Sequence, residues 1–345
     1  MLEQQTLLRL ARDYAARKAA ERPSLKAILL IGSAARGEPP LGDAVDLDIL
    51  LIDDFIPDPP TETVRLSEFV FIDAVYAKTA GFADRKAVRT HHFTGPALND
   101  ALPLHDPRHY FDLLQAAIRA PYNRPDHIYA RARSAHTAAL RAFDGLTPFL
   151  DDTPPADLSL AQPPTGDVLR GFHQTLYLAA MSPILLTGQP ESVGGRKLMV
   201  RFEAAARRLN PDLYPLFLAS LGVSDLTPAV VESLLADWLA SYKAANQRGV
   251  SDPLIQPLKR GYYERGFRAL MAEGHAINTL WLMEHTMATC VRDLEPLPEA
   301  WLNFRQAMGK GDEAQFAGRV RQAEALLALT DETLIAWAKR EQIEW

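Results

Sequence analysis

The sequence predicts an α+β chain in which a small mixed β-sheet domain over residues 1–120 precedes an all-α helical domain over residues 121–345. Three observations predict it. With 345 residues the chain exceeds the roughly 250 to 300 at which single hydrophobic cores stop growing, which points to two domains. Between residues 25 and 77 lie three short apolar runs rich in β-branched or aromatic residues, each bounded by Gly, Pro or Asp. From about residue 125 onward the apolar positions recur almost throughout at spacings of three and four.

Taken in order, the first element is a surface helix over residues 4–21, in which Leu7, Leu8, Ala11, Tyr14 and Ala15 share one face until Pro23-Ser24 breaks the pattern. The runs LKAILLI (25–31), VDLDILLI (45–52) and EFVFIDAVYA (68–77) read as strands of one sheet. Ala101–Leu104 is a fourth, weaker candidate before the Asp106-Pro107 turn, and HYFDLLQAAIRA then returns to helical spacing. Helices are expected over 125–145, 167–188, 196–209, 227–247, 260–290, 297–309, 312–329 and 331–343. The stretch from Leu146 to Gly166 is dense in Pro, Asp and Thr and suits a long exposed connection or lid. No internal repeat has a fixed period.

Composition narrows the function classes. Hydrophobic residues at 48% and charged residues at 23% are those of an ordinary globular protein, not a disordered one. The 37 basic and 43 acidic residues give −6, so no overall positive field attracts nucleic acid or an anionic membrane. Nowhere do 18 uncharged apolar residues run together, and the N-terminal segment lacks a signal-like apolar core, which excludes a spanning helix and points to the cytoplasm. The single cysteine, Cys290, reads as a small core residue.

The chemistry-bearing residues cluster in the first 75. After the first strand, Ile31-Gly32-Ser33-Ala34-Ala35-Arg36-Gly37-Glu38 offers backbone N–H groups, a hydroxyl and a guanidinium to an anion. Alone, such a turn is more often merely structural. In the next strand Asp46 and Asp48 are two residues apart, so strand alternation puts both carboxylates on one face, roughly 6.6 Å apart. Their neighbours are apolar, and two adjacent carboxylates in such a run need cationic partners. Magnesium suits hard oxygen ligands at this spacing, because it binds one or two carboxylates together with substrate phosphates. The alternative is a strand end where both aspartates meet solvent. Asp73, alone among apolar residues in Phe69–Val75, completes a three-carboxylate cluster if its strand lies beside the second. Two metal ions about 3.5 to 4 Å apart could then be held, which is the arrangement of nucleotidyl transfer.

Gly32-Ser33 on a turn, Asp46-x-Asp48 on the next strand and Asp73 on a later one together resemble the polymerase-β nucleotidyltransferase superfamily. GSAARGE is most similar to the minimal nucleotidyltransferases and the bacterial antibiotic nucleotidyltransferases, which pair such a domain with a helical C-terminal one. The resemblance covers about residues 25–106. It implies that Gly32 and Ser33 touch the triphosphate, that Arg36 sits near its phosphates, and that Asp46, Asp48 and Asp73 are the metal ligands and catalytic carboxylates. It further implies two Mg²⁺ ions, a nucleoside triphosphate substrate such as ATP, and a small-molecule acceptor whose hydroxyl attacks the α-phosphorus and releases pyrophosphate. Val45 stands where the family has Ser, and the stretch around Pro39–Asp43 is about two residues longer.

The active site is expected in the cleft between the two domains, with Asp73 or a Glu of the helical domain as general base. The alternative function is a non-catalytic nucleotide-binding regulatory or antitoxin-like protein. A nucleic-acid substrate is disfavoured by the acidic balance and the absence of a basic stripe. His91-His92 and Gly194–Lys197 are read as surface or structural features, Arg131 with His136 as a spacing reminiscent of the helical RNase toxins that accompany small nucleotidyltransferases but frequent by chance on a helix, and Trp238, Tyr262, Tyr263, Trp281 and Trp301 as core. Asp53-Asp54, after the second strand, is expected to be solvated.

Overall fold

A computed structural model describes residues 3–150, 166–188, 195–250, 252–292 and 297–343. The expected lid runs largely through 151–165 and Gly194 stands in 189–194, so both lie outside the described residues. The chain divides into two compact units, Met1–Arg131 with Gly188–Gly194, and Ala132–Thr187 with Gly195–Trp345.

The first unit opens with α1 (Gln4–Glu21), followed by β1 (Ala27–Ile31), the single turn α2 (Gly32–Ala35), β2 (Val45–Asp53), β3 (Thr61–Arg65) and β4 (Val70–Lys78). Then come α3 (Arg85–Thr90), α4 (Thr94–Asp100), β5 (Leu102–His105) and α5 (Tyr110–Arg119). The five strands form one mixed sheet in the order β3-β4-β2-β1-β5, in which β2 and β4 run parallel and the other neighbours antiparallel.

Both faces of the sheet are covered, which is why β1 and most of β2 read as continuous apolar runs rather than alternating ones. On one face Ile28, Leu30, Leu47, Ile49, Leu51, Ile72 and Ala74 pack with Leu7, Ala11, Tyr14 and Ala15 of α1. On the other, Ala27, Leu29, Ile31, Leu50 and Ile52 pack with Val88, Leu98, Phe111, Leu114 and Ile118 from α3, α4 and α5. Removing such a core side chain, as in Leu98→Ala, costs about 2 to 5 kcal/mol.

β3 was not anticipated. Its sequence TETVR has no apolar alternation, and it forms a part-exposed edge strand. Glu62 on this strand accepts from the hydroxyl of Tyr14 and, at 3.0 Å, from the ammonium of Lys18, which ties the edge to α1. Asp53 is the second departure: it is fully buried instead of solvated. Arg22 Nη2 at 3.0 Å and Ser24 Oγ at 2.9 Å donate to its Oδ2, and the amide of Asp54 donates to Oδ1 at 2.8 Å. The Arg22-Pro23-Ser24 turn folds over the strand end and supplies the partners that a buried carboxylate requires.

Beyond α6 (Pro125–Phe143), the second unit is helical: α7 (Gly166–Leu186), α8 (Leu198–Leu209), α9 (Leu213–Leu221), α10 (Pro228–Gln247), α11 (Lys259–Ala272), α12 (Leu280–Val291), α13 (Glu299–Ala307) and α14 (Glu313–Arg340). The single helix expected over 260–290 is two, because Gly274 takes φ +84° and the amide of His275 reaches back to Leu270 O at 2.8 Å, a glycine stop. The break expected at 330 is absent. Thr330 instead donates its hydroxyl back to Leu326 O at 2.8 Å and α14 continues. Trp238, Tyr262, Tyr263, Trp281, Trp301 and Cys290 are buried, as expected of core residues. Among the described residues no helix is long and apolar enough to cross a membrane.

Candidate carboxylate site on the sheet

The sheet register aligns a polar row across three strands and ends it at an apolar residue on the fourth. Thr63 of β3 pairs with Asp73 of β4, Asp73 with Asp48 of β2, and Asp48 with Ile31 of β1. Directly paired residues point to the same face, so Thr63, Asp73 and Asp48 stand side by side with strands about 4.8 Å apart. Asp46 lies on that face one step along β2, opposite Phe71. Asp46 and Asp48 are the two half-buried positions of an otherwise buried strand, so the apolar packing that covers the rest of this face leaves these carboxylates reachable.

Each carboxylate is held differently. Thr63 Oγ1 donates to Asp73 Oδ1 at 2.8 Å, which fixes the Asp73 rotamer. Asp48 packs against Gly32. At Gly32 the backbone has φ +76°, and a Cβ built there would lie 2.3 Å from Asp48 Oδ2. Only glycine permits both the left-handed turn and this close approach. The turn after β1 therefore exists in its observed form because the Asp48 carboxylate lies beneath it.

Past Gly32 the chain makes one helical turn, closed by Arg36 N to Gly32 O at 3.3 Å and Gly37 N to Ala34 O at 3.2 Å. Four residues carry little of a helix dipole, so what this turn offers an anion is its local N–H groups and the half-buried Ser33. Arg36 pairs through Nε with Glu38 Oε1 at 2.7 Å, and its Nη1 lies 3.9 Å from Asp100 Oδ2. Burial raises the Asp100 carboxyl pKa against the pull of Asn99 and Arg36. Sequence reasoning named neither Thr63 nor the Glu38 and Asp100 partners of Arg36. Only the two threonines of TETVR, two residues apart, hinted at the first.

Chemically this is a set of hard oxygen donors beside a glycine-tight turn. Among the described residues no group of three or more His, Cys, Asp or Glu side chains is placed so that it could hold a metal ion, so Asp46, Asp48 and Asp73 do not close into the expected three-carboxylate set. Magnesium does not need one, because it keeps waters and substrate phosphates beside one or two carboxylates. The pair Asp46–Asp48, roughly 6.6 Å apart on one strand face, with Asp73 beside Asp48, fits that open kind of site.

Comparison with known proteins adds little. No protein-family model matches the chain, and no curated protein matches it. A solved structure, that of a nucleotidyltransferase-like protein from Exiguobacterium sibiricum 255-15, is similar to it at 16% identity over 63% of this chain and 68% of that one, with a TM-score of 0.32. At that TM-score too little backbone superposes for the likeness to assign a function.

Proposed function

We propose that the chain is a magnesium-dependent nucleotidyltransferase that moves a nucleoside monophosphate from a nucleoside triphosphate, ATP foremost, to a hydroxyl of a small-molecule acceptor. One observation carries this reading. Asp48 and Asp73 are direct partners across β2 and β4, with Asp46 on the same face and the Gly32 turn pressed against the Asp48 carboxylate. In this reading Asp46 and Asp48 hold magnesium, which neutralises the phosphate charge and activates the attacking oxygen when bound. Ser33 and the amides of the Gly32–Ala35 turn take phosphate oxygens. Asp73, oriented by Thr63, stands ready to ligate or to accept the acceptor's proton. Positioning and charge neutralisation supply most of the rate in such transfers. A cytoplasmic setting supplies the triphosphate and suits a lone buried cysteine.

The second reading, a nucleotide-binding protein without turnover, draws on the Arg36–Glu38 pair, which holds the one guanidinium of this turn on a carboxylate. Incubation with α-labelled triphosphates, magnesium and a panel of hydroxyl-bearing acceptors separates the two. Labelled product that disappears in Asp48→Asn supports transfer, whereas binding without product supports the second.

A further inference from the structure

In the second unit three helices end around one cavity. α7 stops at Leu186, α8 at Leu209 and α14 at Arg340, and all three residues line a space of about 310 Å³. Small-molecule sites run from about 300 to 1,000 Å³, so this one suits a ligand at the small end of that range. Leu186, Leu209 and the buried Trp337 give it apolar wall. The rest of its lining is polar or charged.

The charges are arranged with both signs. A helix dipole leaves roughly half a negative charge at a C-terminus, and here three such ends meet. Glu341, the residue that follows α14, adds a carboxylate. Its Oε1 lies 3.3 Å from Arg340 Nε, so those two full charges already offset one another. Arg208, in the last turn of α8, has no carboxylate partner among the described residues. Its guanidinium makes one long contact there, Nη1 to the Thr187 carbonyl at 3.5 Å. A basic side chain in a last turn complements its own helix, but that contact leaves most of the planar donor fork unengaged at the cavity. Such a fork matches a carboxylate with two parallel hydrogen bonds.

We propose that this cavity binds a free α-amino acid with an apolar side chain, its carboxylate on Arg208, its ammonium towards Glu341 and the helix C-termini, and its side chain against Leu186, Leu209 and Trp337. A simple anion of this size would meet Glu341 and three negative helix ends. A simple cation would meet Arg208 and Arg340. A zwitterion places one charge against each. None of these residues belongs to the carboxylate site on the sheet.

Titration calorimetry of the full chain at pH 7 tests the proposal with L-leucine and L-phenylalanine, with isocaproate and phenylpropionate, which lack the ammonium, and with isoamylamine and phenethylamine, which lack the carboxylate. Saturable binding of at least one amino acid is expected, at least tenfold tighter than of either of its analogues. Arg208→Gln and Glu341→Gln should each lower that affinity at least tenfold while the ligand-free melting temperature holds, since both side chains are exposed. Glu341→Gln should not weaken binding of the ammonium-free acid. Arg207→Gln, whose side chain pairs with Glu203 and does not line the cavity, should leave the affinity unchanged. No saturable amino-acid binding, an analogue that binds as tightly, full affinity in Arg208→Gln or Glu341→Gln, or an equal loss in Arg207→Gln would each overturn the proposal.

Discussion

Asp48 and Asp73 face one another as direct partners across the parallel strands β2 and β4, two carboxylates about one strand spacing apart on a half-buried face. Charges so placed repel, and a site built for a cation tolerates that repulsion until the cation arrives. Asp46→Asn and Asp48→Asn are therefore expected to leave the stability of the metal-free protein unchanged, or to raise it by up to about 1 kcal/mol, while magnesium-dependent transfer falls at least a hundredfold. Urea melts of the metal-free variants beside magnesium-titrated transfer rates check this. Variants that lose several kcal/mol and show no magnesium response would mark the aspartates as structural partners of buried cations instead.

Gly32 makes a sharper demand. Its φ of +76° and the 2.3 Å between a would-be Cβ and Asp48 Oδ2 mean that Gly32→Ala meets backbone strain and a steric clash together. The expected loss is about 1 to 3 kcal/mol, with the Asp48 carboxylate displaced. Denaturant unfolding measures the first and triphosphate affinity the second. Gly37→Ala, at φ +69° but with only Gln4 side-chain atoms near its would-be Cβ at 3.9 and 4.0 Å, should show the backbone cost while keeping the affinity. Equal affinity losses in both variants would remove the special role given to Gly32.

Much of this was legible because charge inside an apolar run stands out. Asp46, Asp48 and Asp73 each interrupt a strand whose remaining residues seek burial, and β1, β2 and β4 followed from those same runs. What could not be read depends on strand order. Thr63 meets Asp73 only because β3 pairs with β4, and its strand carries no apolar signal to announce itself. The partners of Asp53 lie about thirty residues away at the end of α1, so a carboxylate that local pattern places in solvent is buried by the tertiary fold. Glu284 likewise sits in a helix read as apolar, 26 residues before the lysine that neutralises it.

The triphosphate reading predicts opposite effects at the two ends of one ion pair. Glu38 holds Arg36 Nε at 2.7 Å and so competes with any phosphate for that guanidinium. Glu38→Gln is expected to raise triphosphate affinity severalfold, whereas Ser33→Ala/Arg36→Ala lowers it at least tenfold in a protein that still folds. Thermal melts report both. A magnesium–triphosphate at a hundred times its dissociation constant adds about 2.7 kcal/mol of stability. A melting temperature unmoved by ATP, GTP, CTP and UTP at millimolar concentration with magnesium removes the basis for the reading.

The fully buried Glu284–Lys310 pair makes the last prediction, one of pH and of sign. In the folded protein, against the opposing effect of burial, the Lys310 ammonium and His173 hold the Glu284 pKa at about 2, below its ordinary 4.5, so the unfolded chain takes up its proton first as pH falls. Stability from this group is then fully present above pH 4.5 and is lost as pH drops from there through about 2, by an amount on the order of 3 kcal/mol. Glu284→Gln removes this titration but leaves Lys310 buried with no anion, at a cost of about 3 to 5 kcal/mol at neutral pH. Lys310→Met with Glu284→Gln should recover most of that loss, since the unpaired charge goes with the lysine. Urea melts of the wild type and both variants between pH 2.5 and 7 decide it. A single Gln variant as stable as the wild type at pH 7, or a wild type whose excess stability over the double variant does not shrink below pH 4.5, would show that the pair is not ionised in the fold.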